Sequence, residues 1–424
     1  MTERQERGGA RPSAVGKSTS GVLPSTLAVT PEHTTGGGTA GSHRNEHDRD
    51  DHVMTVQPAT ATAAAAAAEA EGPPLRLGTR RSALATAQSG MIAEAVTRAT
   101  GRRVELVEIT TYGDTSREQL AQIGGTGVFV SALRDALLGG DIDFAVHSLK
   151  DLPTAAPEGL ALAAVPPRED PRDALIARDG LSLDELAAKS VDAPARIGTG
   201  SPRRTAQLNA WAAEVGARIE TVPIRGNVDT RIGYVHSGQF DAVVLAAAGL
   251  SRLGRLDEAT EILDSTLMLP APGQGALAVE CRADRPDLIA ELAVLDHAPT
   301  RAAVAAERAL LAALEAGCSA PVGALAEVLR PFGERPPAPP REPAVAGAGV
   351  QRGTAGAAGA ESADELLLRA LVGTVDGSSV VQLSVTGALG PAAASEQAAA
   401  ALGRELAARM LAAGAAGLMG ERAL

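Results

Sequence analysis

One local pattern occurs twice in this chain. Leu75-Arg76-Leu77 leads into Gly78-Thr79-Arg80-Arg81-Ser82, and Arg196-Ile197 leads into Gly198-Thr199-Gly200-Ser201-Pro202-Arg203-Arg204. Each time a short apolar strand ends in a Gly/Thr turn, a serine and paired arginines, and a helix follows. After the first turn, Leu84, Ala87, Met91, Ile92 and Ala95 share one helical face. A strand entering a helix through such a turn exposes free amide groups at the helix N-terminus, which attract anions. A chain that builds this unit twice is expected to form two similar α/β lobes, each offering a helix start and arginines to one cleft.

Composition narrows the partners. The 424 residues suffice for two to four domains with a substantial core. A net charge of -12 opposes a phosphate backbone, and an aromatic content of 2% leaves few surfaces on which bases could stack. Nucleic acid is therefore not expected as a partner. No apolar run reaches the roughly 18 residues of a membrane helix, and no apolar core with a cleavage site marks a secretory signal, so a cytoplasmic protein is expected. Cys281 and Cys318 cannot make a disulfide framework. His147, His236 and His297 are far apart in sequence and neither cysteine has a ligand-like neighbour, so no metal is expected.

Along the chain, residues 1–74 have no periodic apolar face and read as a disordered extension. Residues 75–170 with 274–296 form the expected first domain, 171–273 the second, and 297–424 the third, with a flexible Pro/Gly/Ala-rich insertion at 331–362. In the first domain, strands are expected at 75–77 and 104–109, a mobile lid at Gly124-Gly125-Thr126-Gly127, and a helix over 128–138. The apolar run Phe144-Ala145-Val146 then turns ionic, and Pro153 forbids further ladder pairing. That places His147, Ser148, Lys150 and Asp151 where a strand leaves its sheet, the usual crevice of open α/β folds. In the second domain, Ser182 and Glu185 form a capping box. A strand over 219–224 delivers Arg225-Gly226-Asn227, and Arg231 follows on a helix. Pro272-Gly273-Gln274-Gly275 leads into a strand at 276–280 that returns to the first sheet. In the third, a helix carrying Val304, Leu311 and Leu314 stops at Gly317, a small-residue loop covers 318–323, and Asp376-Gly377 marks a hairpin.

Arg80, Arg81, Arg203, Arg204, Arg225, Arg231 and Arg252 all fall at turns or helix starts after expected strands. The planar guanidinium binds carboxylates and phosphates bidentately, so such a set implies a ligand with several acidic groups. Asp151 amid that positive charge has its ionised form favoured and suits stabilisation of a cation on a substrate. Cys281, inside a Val-Glu-Cys strand, reads as inert core. Cys318, in a loop between Gly317 and Ser319, reads either as structural or as a covalent attachment point.

These segments, with Ala145 to Pro153, Arg168 to Ala174, Pro272-Gly273-Gln274-Gly275 and Glu315-Ala316-Gly317-Cys318, resemble the porphobilinogen deaminase (hydroxymethylbilane synthase) family in family order. The resemblance implies two type II periplasmic-binding-protein-like α/β domains plus a small α+β C-terminal domain. It implies a dipyrromethane cofactor held through a thioether to Cys318, and Asp151 as the catalytic acid. It assigns cofactor or substrate contacts to Arg80, Ser82, Lys150, Ser201, Arg203, Arg204, Arg225, Arg231, Arg252 and Gln274. The implied reaction joins four porphobilinogens head to tail, with loss of ammonia, onto that primer and releases a linear tetrapyrrole by hydrolysis; a monomer is expected. One departure is Thr126, where many members carry a lid lysine, with Gln122 and Ser131 also uncharged. The rival reading is a non-catalytic two-lobed anion-binding protein, which would need no reactive cysteine.

Overall fold

The computed structural model describes residues 73–110, 127–317, 319–329, 364–391 and 394–419. The tail up to residue 72, Gly124-Gly125-Thr126 of the lid, Cys318 and the 331–362 insertion lie outside the described residues.

The first lobe opens with β1 (Leu75–Thr79), α1 (Ala83–Thr100) and β2 (Val104–Glu108). Ser82 caps α1 by accepting the Ala85 N–H on its hydroxyl, and Gly101 ends it in the left-handed conformation. α2 (Gly127–Gly139) leads into β3 (Phe144–Ser148), a 3-10 turn at Leu149–Asp151, and β4 (Leu160–Ala164). The chain then crosses to the second lobe. β5 (Asp173–Ala177), α3 (Leu183–Lys189), β6 (Ala195–Gly198), α4 (Pro202–Val215) and β7 (Ile219–Val222) come first. α5 (Val228–His236), β8 (Ala242–Ala246), α6 (Ala247–Arg252) and the short β9 (Glu261–Ile262) complete it. Both bonds of the Ser182/Glu185 capping box are present at α3. The chain returns through β10 (Leu277–Arg282) and α7 (Pro286–Leu292).

The two sheets have one plan. Their orders are β2-β1-β3-β10-β4 and β7-β6-β8-β5-β9. In each, three parallel strands run second-first-third, followed by a strand antiparallel to its neighbours on both sides. That antiparallel strand is β10 in the first sheet and β5 in the second, the two strands that adjoin the crossovers. This is the type II periplasmic-binding-protein arrangement twice over, and it sets the mouths of both sheets beside the same two linkers.

A third unit follows: α8 (Ala298–Ala313), then β11 (Val322–Leu329), β12 (Glu365–Gly373) and β13 (Val380–Ala388) in a three-stranded antiparallel sheet, and α9 (Ser395–Ala412). Leu310, Leu366, Leu368, Leu406 and Met410 are fully buried between the helices and the sheet.

Several expectations shift. Val322 and Gly323 belong to β11, not to a loop, because Gly323 pairs with Leu371 and its missing side chain lets Leu269 pack within 2.9 Å of where a Cβ would be. The left-handed residue after α8 is Glu315 (φ 53°), not Gly317. The strand at 219–224 ends at Val222, and Ile224 instead turns inward and is buried. The hairpin spans a longer loop, closed by Thr374 N–H donating to Ser379 O at 2.9 Å, with Asp376 and Gly377 at its tip.

Where the three units meet stands Glu307 of α8, with no solvent exposure. Arg168 on the outgoing crossover forks onto it at 2.7 and 3.0 Å. The Gly273 N–H on the returning crossover donates to it at 2.6 Å, and the Ala326 N–H of β11 at 2.9 Å. Removing one partner of such a pair leaves an uncompensated buried charge. Glu307→Ala is expected to cost about 3–5 kcal/mol in denaturant unfolding, far more than a change at an exposed ion pair such as Arg285–Asp287.

Candidate active site

β3 carries Phe144, Ala145 and Val146 into the core, and the chain then tightens into the Leu149–Asp151 turn. The turn is pinned from below: Leu149 is fully buried and its N–H donates to Ala276 O at 3.0 Å. Gly275 allows the crossover to pass here, since its φ is +86° and a Cβ would lie 2.5 Å from Glu169 O. Lys150 and Asp151 are thereby presented, half-buried, at the mouth of the first sheet.

A cavity of about 200 Å³ opens there. The first lobe contributes Lys150 and Asp151, and the second contributes Gly200, Ser201, Arg203, Arg204 and Arg231. Gln274 comes from the returning crossover, and Gly317 and Ala320, on either side of Cys318, come from the third unit. Seven of the expected site residues thus line one space. The other expected positions among the described residues do not. Ser82 serves as the α1 cap, Arg80 is half-buried beyond β1, Arg225 is exposed, and Arg252 donates from Nη2 to Gly275 O at 2.6 Å. Cys318 lies outside the described residues.

The arginines of α4 do not project freely into the cleft, as the pattern of strand-end arginines suggested. Both are buried against Asp173, the first residue of β5 and itself fully buried. Arg203 Nη1 lies 2.8 Å from Asp173 Oδ2, and Arg204 Nη2 donates to Oδ1 at 2.8 Å. Arg203 Nη1 also donates to Leu269 O, and Arg204 Nη1 to Val244 O at 2.7 Å. Burial disfavours the Asp173 charge, but the two guanidiniums outweigh it and hold the carboxyl well below the usual range. Two cations on one anion leave a net positive wall. Arg231 adds to it: desolvation, then repulsion from Arg204 and Arg225, pushes its guanidinium down to about 10. Crowded like charge of this kind favours an anionic ligand.

The Nε atoms of Arg203 and Arg204 are buried and find no hydrogen-bond partner among the described residues. Unspent donors in residues that line a cavity fit a ligand bearing carboxylates. They also fit a group attached at Cys318, whose neighbours line the same space.

His147 departs from expectation in another way. It lies inside β3, buried, instead of at the strand's open end. Its cross-strand partner is Ala278, so Glu280, two residues on, shares its face of the sheet. His147 Nε2 lies 3.3 Å from Glu280 Oε2, and Arg134 of α2 forks onto the same carboxylate at 3.0 and 2.7 Å. Burial opposes ionisation of Glu280, but His147 and Arg134 prevail and hold its carboxyl at about 2.

Comparison with known proteins decides the family. The profile described as "Porphobilinogen deaminase, dipyromethane cofactor binding domain" matches residues 75–290, and "Porphobilinogen deaminase, C-terminal domain" matches 301–331. Porphobilinogen deaminase 1 of Streptomyces avermitilis is 65% identical over 348 residues, covering 82% of this chain and 98% of that protein. The chain belongs to the porphobilinogen deaminase family.

The porphobilinogen deaminases of Thermobifida fusca (52% over 343 residues, 81% and 94% covered) and Mycobacteroides abscessus (50% over 346 residues, 82% and 99%) are similar along the same span. Among solved structures, an ABC transporter periplasmic substrate-binding protein from Coxiella burnetii aligns at 12% identity and a TM-score of 0.33, covering 53% of this chain and 93% of that one. A score that low carries no weight, and the lobe type rests on strand order.

Sequence reasoning missed Asp173 and Glu307 as organisers of the site, and Glu280 as the partner of His147 within the first sheet. Each is a carboxylate at a position where a strand or helix reads as apolar, and an acid inside an apolar run is the signal that points to a buried cation partner. Glu280 gives a pH test. Its folded carboxyl is depressed, so its stabilisation is complete above the ordinary value near 4.5 and is lost as pH falls toward about 2. Glu280→Gln is expected to lose on the order of 3 kcal/mol at neutral pH, with parent and variant unfolding curves converging between pH 4.5 and 2.

Proposed function

We infer that this protein is a hydroxymethylbilane synthase whose reaction is carried by Asp151 and primed at Cys318. It condenses four porphobilinogen molecules with release of ammonia and then frees the linear tetrapyrrole hydroxymethylbilane. The single observation that carries the residue roles is the cavity lined together by Asp151, Arg203, Arg204 and Arg231, whose third-unit wall of Leu311, Gly317, Ala320 and Val322 includes the residue that immediately precedes Cys318.

The first sheet with its turn is read as the domain of the catalytic acid, the second as the anion-binding domain, and the third as the domain of the cofactor cysteine. The dipyrromethane, when bound, supplies a pyrrole with a free α-carbon to which incoming units are joined. The Cys318 thiolate is the attacking sulfur for its attachment, a role open to a thiol and closed to a hydroxyl at neutral pH. Asp151 places a fixed negative charge where positive charge develops on a pyrrole nitrogen during ammonia loss and carbon–carbon bond formation. Because the turn is anchored by Leu149, that charge is set in advance and does not reorganise as the reaction proceeds. Lys150, Ser201, Arg203, Arg204 and Arg231 bind and orient the acetate and propionate side chains of the pyrroles. Arg80, Ser82, Arg225 and Arg252, outside the cavity wall, are assigned to later pyrroles of a lengthening chain. No described helix is long and apolar enough to cross a membrane; a cytoplasmic monomer is the reading adopted.

The test is turnover of porphobilinogen by the purified chain, followed as ammonia release and tetrapyrrole formation. Asp151→Asn, which removes charge and keeps shape, is expected to lower kcat by about 100-fold or more with an unchanged melting temperature. Full turnover in that variant contradicts the role of Asp151. Cys318→Ser is expected to yield no stable holoenzyme.

A further inference from the structure

We propose that Gln274 is a positioning residue for Lys150: its side-chain amide ties the Lys150 ammonium, beside the catalytic acid of the first lobe, to Asp173 in the second lobe. Gln274 lies at the cavity, yet it is almost wholly buried and its amide is spent on protein groups. Its Oε1 accepts from Lys150 Nζ at 3.2 Å. Its Nε2 donates to Pro171 O at 2.7 Å and to Asp173 Oδ1 at 2.8 Å. Only this orientation of the amide works. Reversed, it would set an NH₂ against an ammonium, and a carbonyl against both a carboxylate and a carbonyl. Nε2 also donates to Arg172 O at 3.4 Å, so four partners of fixed polarity hold the amide.

The backbone of Gln274 is held as firmly. Its carbonyl accepts from Arg168 Nε at 2.8 Å, and Arg168 is the partner of Glu307. The residue therefore stands where outgoing and returning crossovers touch, and it joins Lys150 to the same Asp173 that holds Arg203 and Arg204. A ligand carboxylate in this cavity meets Lys150, Arg203 and Arg204 as one charge set whose spacing Gln274 fixes. Its role is thus to act through Lys150, not to touch the ligand as the family resemblance implied.

Lys150 is the member of that set most exposed to disturbance. Desolvation pushes its ammonium down to about 8; Asp151 on its own turn and Asp173 from β5 oppose this, while Arg204 and Arg203 from α4 add to it. Arg231 of α5 lines the same cavity. The Gln274 carbonyl dipole favours the charged form, so its loss drives Lys150 toward neutrality and weakens its hold on carboxylates as pH rises.

The inference rests on the cavity being the ligand site, but it is testable apart from turnover. The chain has three lysines, Lys17, Lys150 and Lys189, so carbon-13-labelled lysine gives few Cε signals and Lys150→Arg identifies one. In the holoenzyme, Gln274→Met is expected to lower the Lys150 titration midpoint by about half a pH unit or more, and Gln274→Glu, which keeps an acceptor for the ammonium, to leave it at or above the parent value. The alkaline limb of kcat/KM for porphobilinogen is expected to move with the midpoint. If Gln274→Met does not accumulate as folded protein, Gln274→Asn, which retracts the amide by one methylene, carries the same expected shift. A midpoint unchanged in Gln274→Met or Gln274→Asn, or one that falls equally in Gln274→Glu, overturns the proposal and leaves Gln274 a packing residue. Absence of turnover in the unsubstituted protein would instead count against the proposed function, while the titration still decides Gln274.

Discussion

Asp173 is the group on which the cavity depends, because it allows two guanidiniums to stand side by side out of water. Neither Arg203 nor Arg204 could be buried alone at reasonable cost, and burying both without an anion would be worse. The carboxylate takes one nitrogen from each, and backbone carbonyls of Leu269 and Val244 take others. What remains is a desolvated positive wall whose Nε donors are unspent among the described residues. Electrostatics of this kind are strong because they are dry and preset; a solvated arginine on a loop would be neither.

The topology explains why such a wall can face an acid from another domain. β5 and β10 are the strands that adjoin the crossovers, and each enters the middle of a sheet antiparallel to its neighbours. Asp173 begins the one and Gln274 precedes the other, so the two linkers carry the groups that couple the lobes. Glu307 fastens the third unit to the same linkers through Arg168 and Gly273. The site therefore sits where all three units are bound together.

Much of this was legible in the chain, and the reasons for the rest are physical. The repeated strand, Gly/Thr turn and arginine pair revealed two lobes because local turn chemistry is written locally. Asp151 was legible as a charge placed after a buried strand. The direction of Arg203 and Arg204 was not, since a helix start presents side chains both to the cleft and to its own sheet, and only packing against Asp173 decides. His147 misled for the same reason: an ionisable residue at a strand end reads as exposed until a partner such as Glu280 is known from the register. β11 was hidden by its alanines, which carry no strand preference and are held there by pairing with β12.

On the proposed function, a sulfur-anchored pyrrole primer occupies this positively walled cavity beside Asp151. That occupancy is tested most directly by mass analysis of the proteolytic peptide containing Cys318, taken from protein made in cells that synthesise porphobilinogen. This peptide is expected to be heavier than its sequence by one dipyrromethane unit and to give the colour reaction of a pyrrole with acid Ehrlich reagent. An unmodified Cys318 peptide from fully active protein would contradict it.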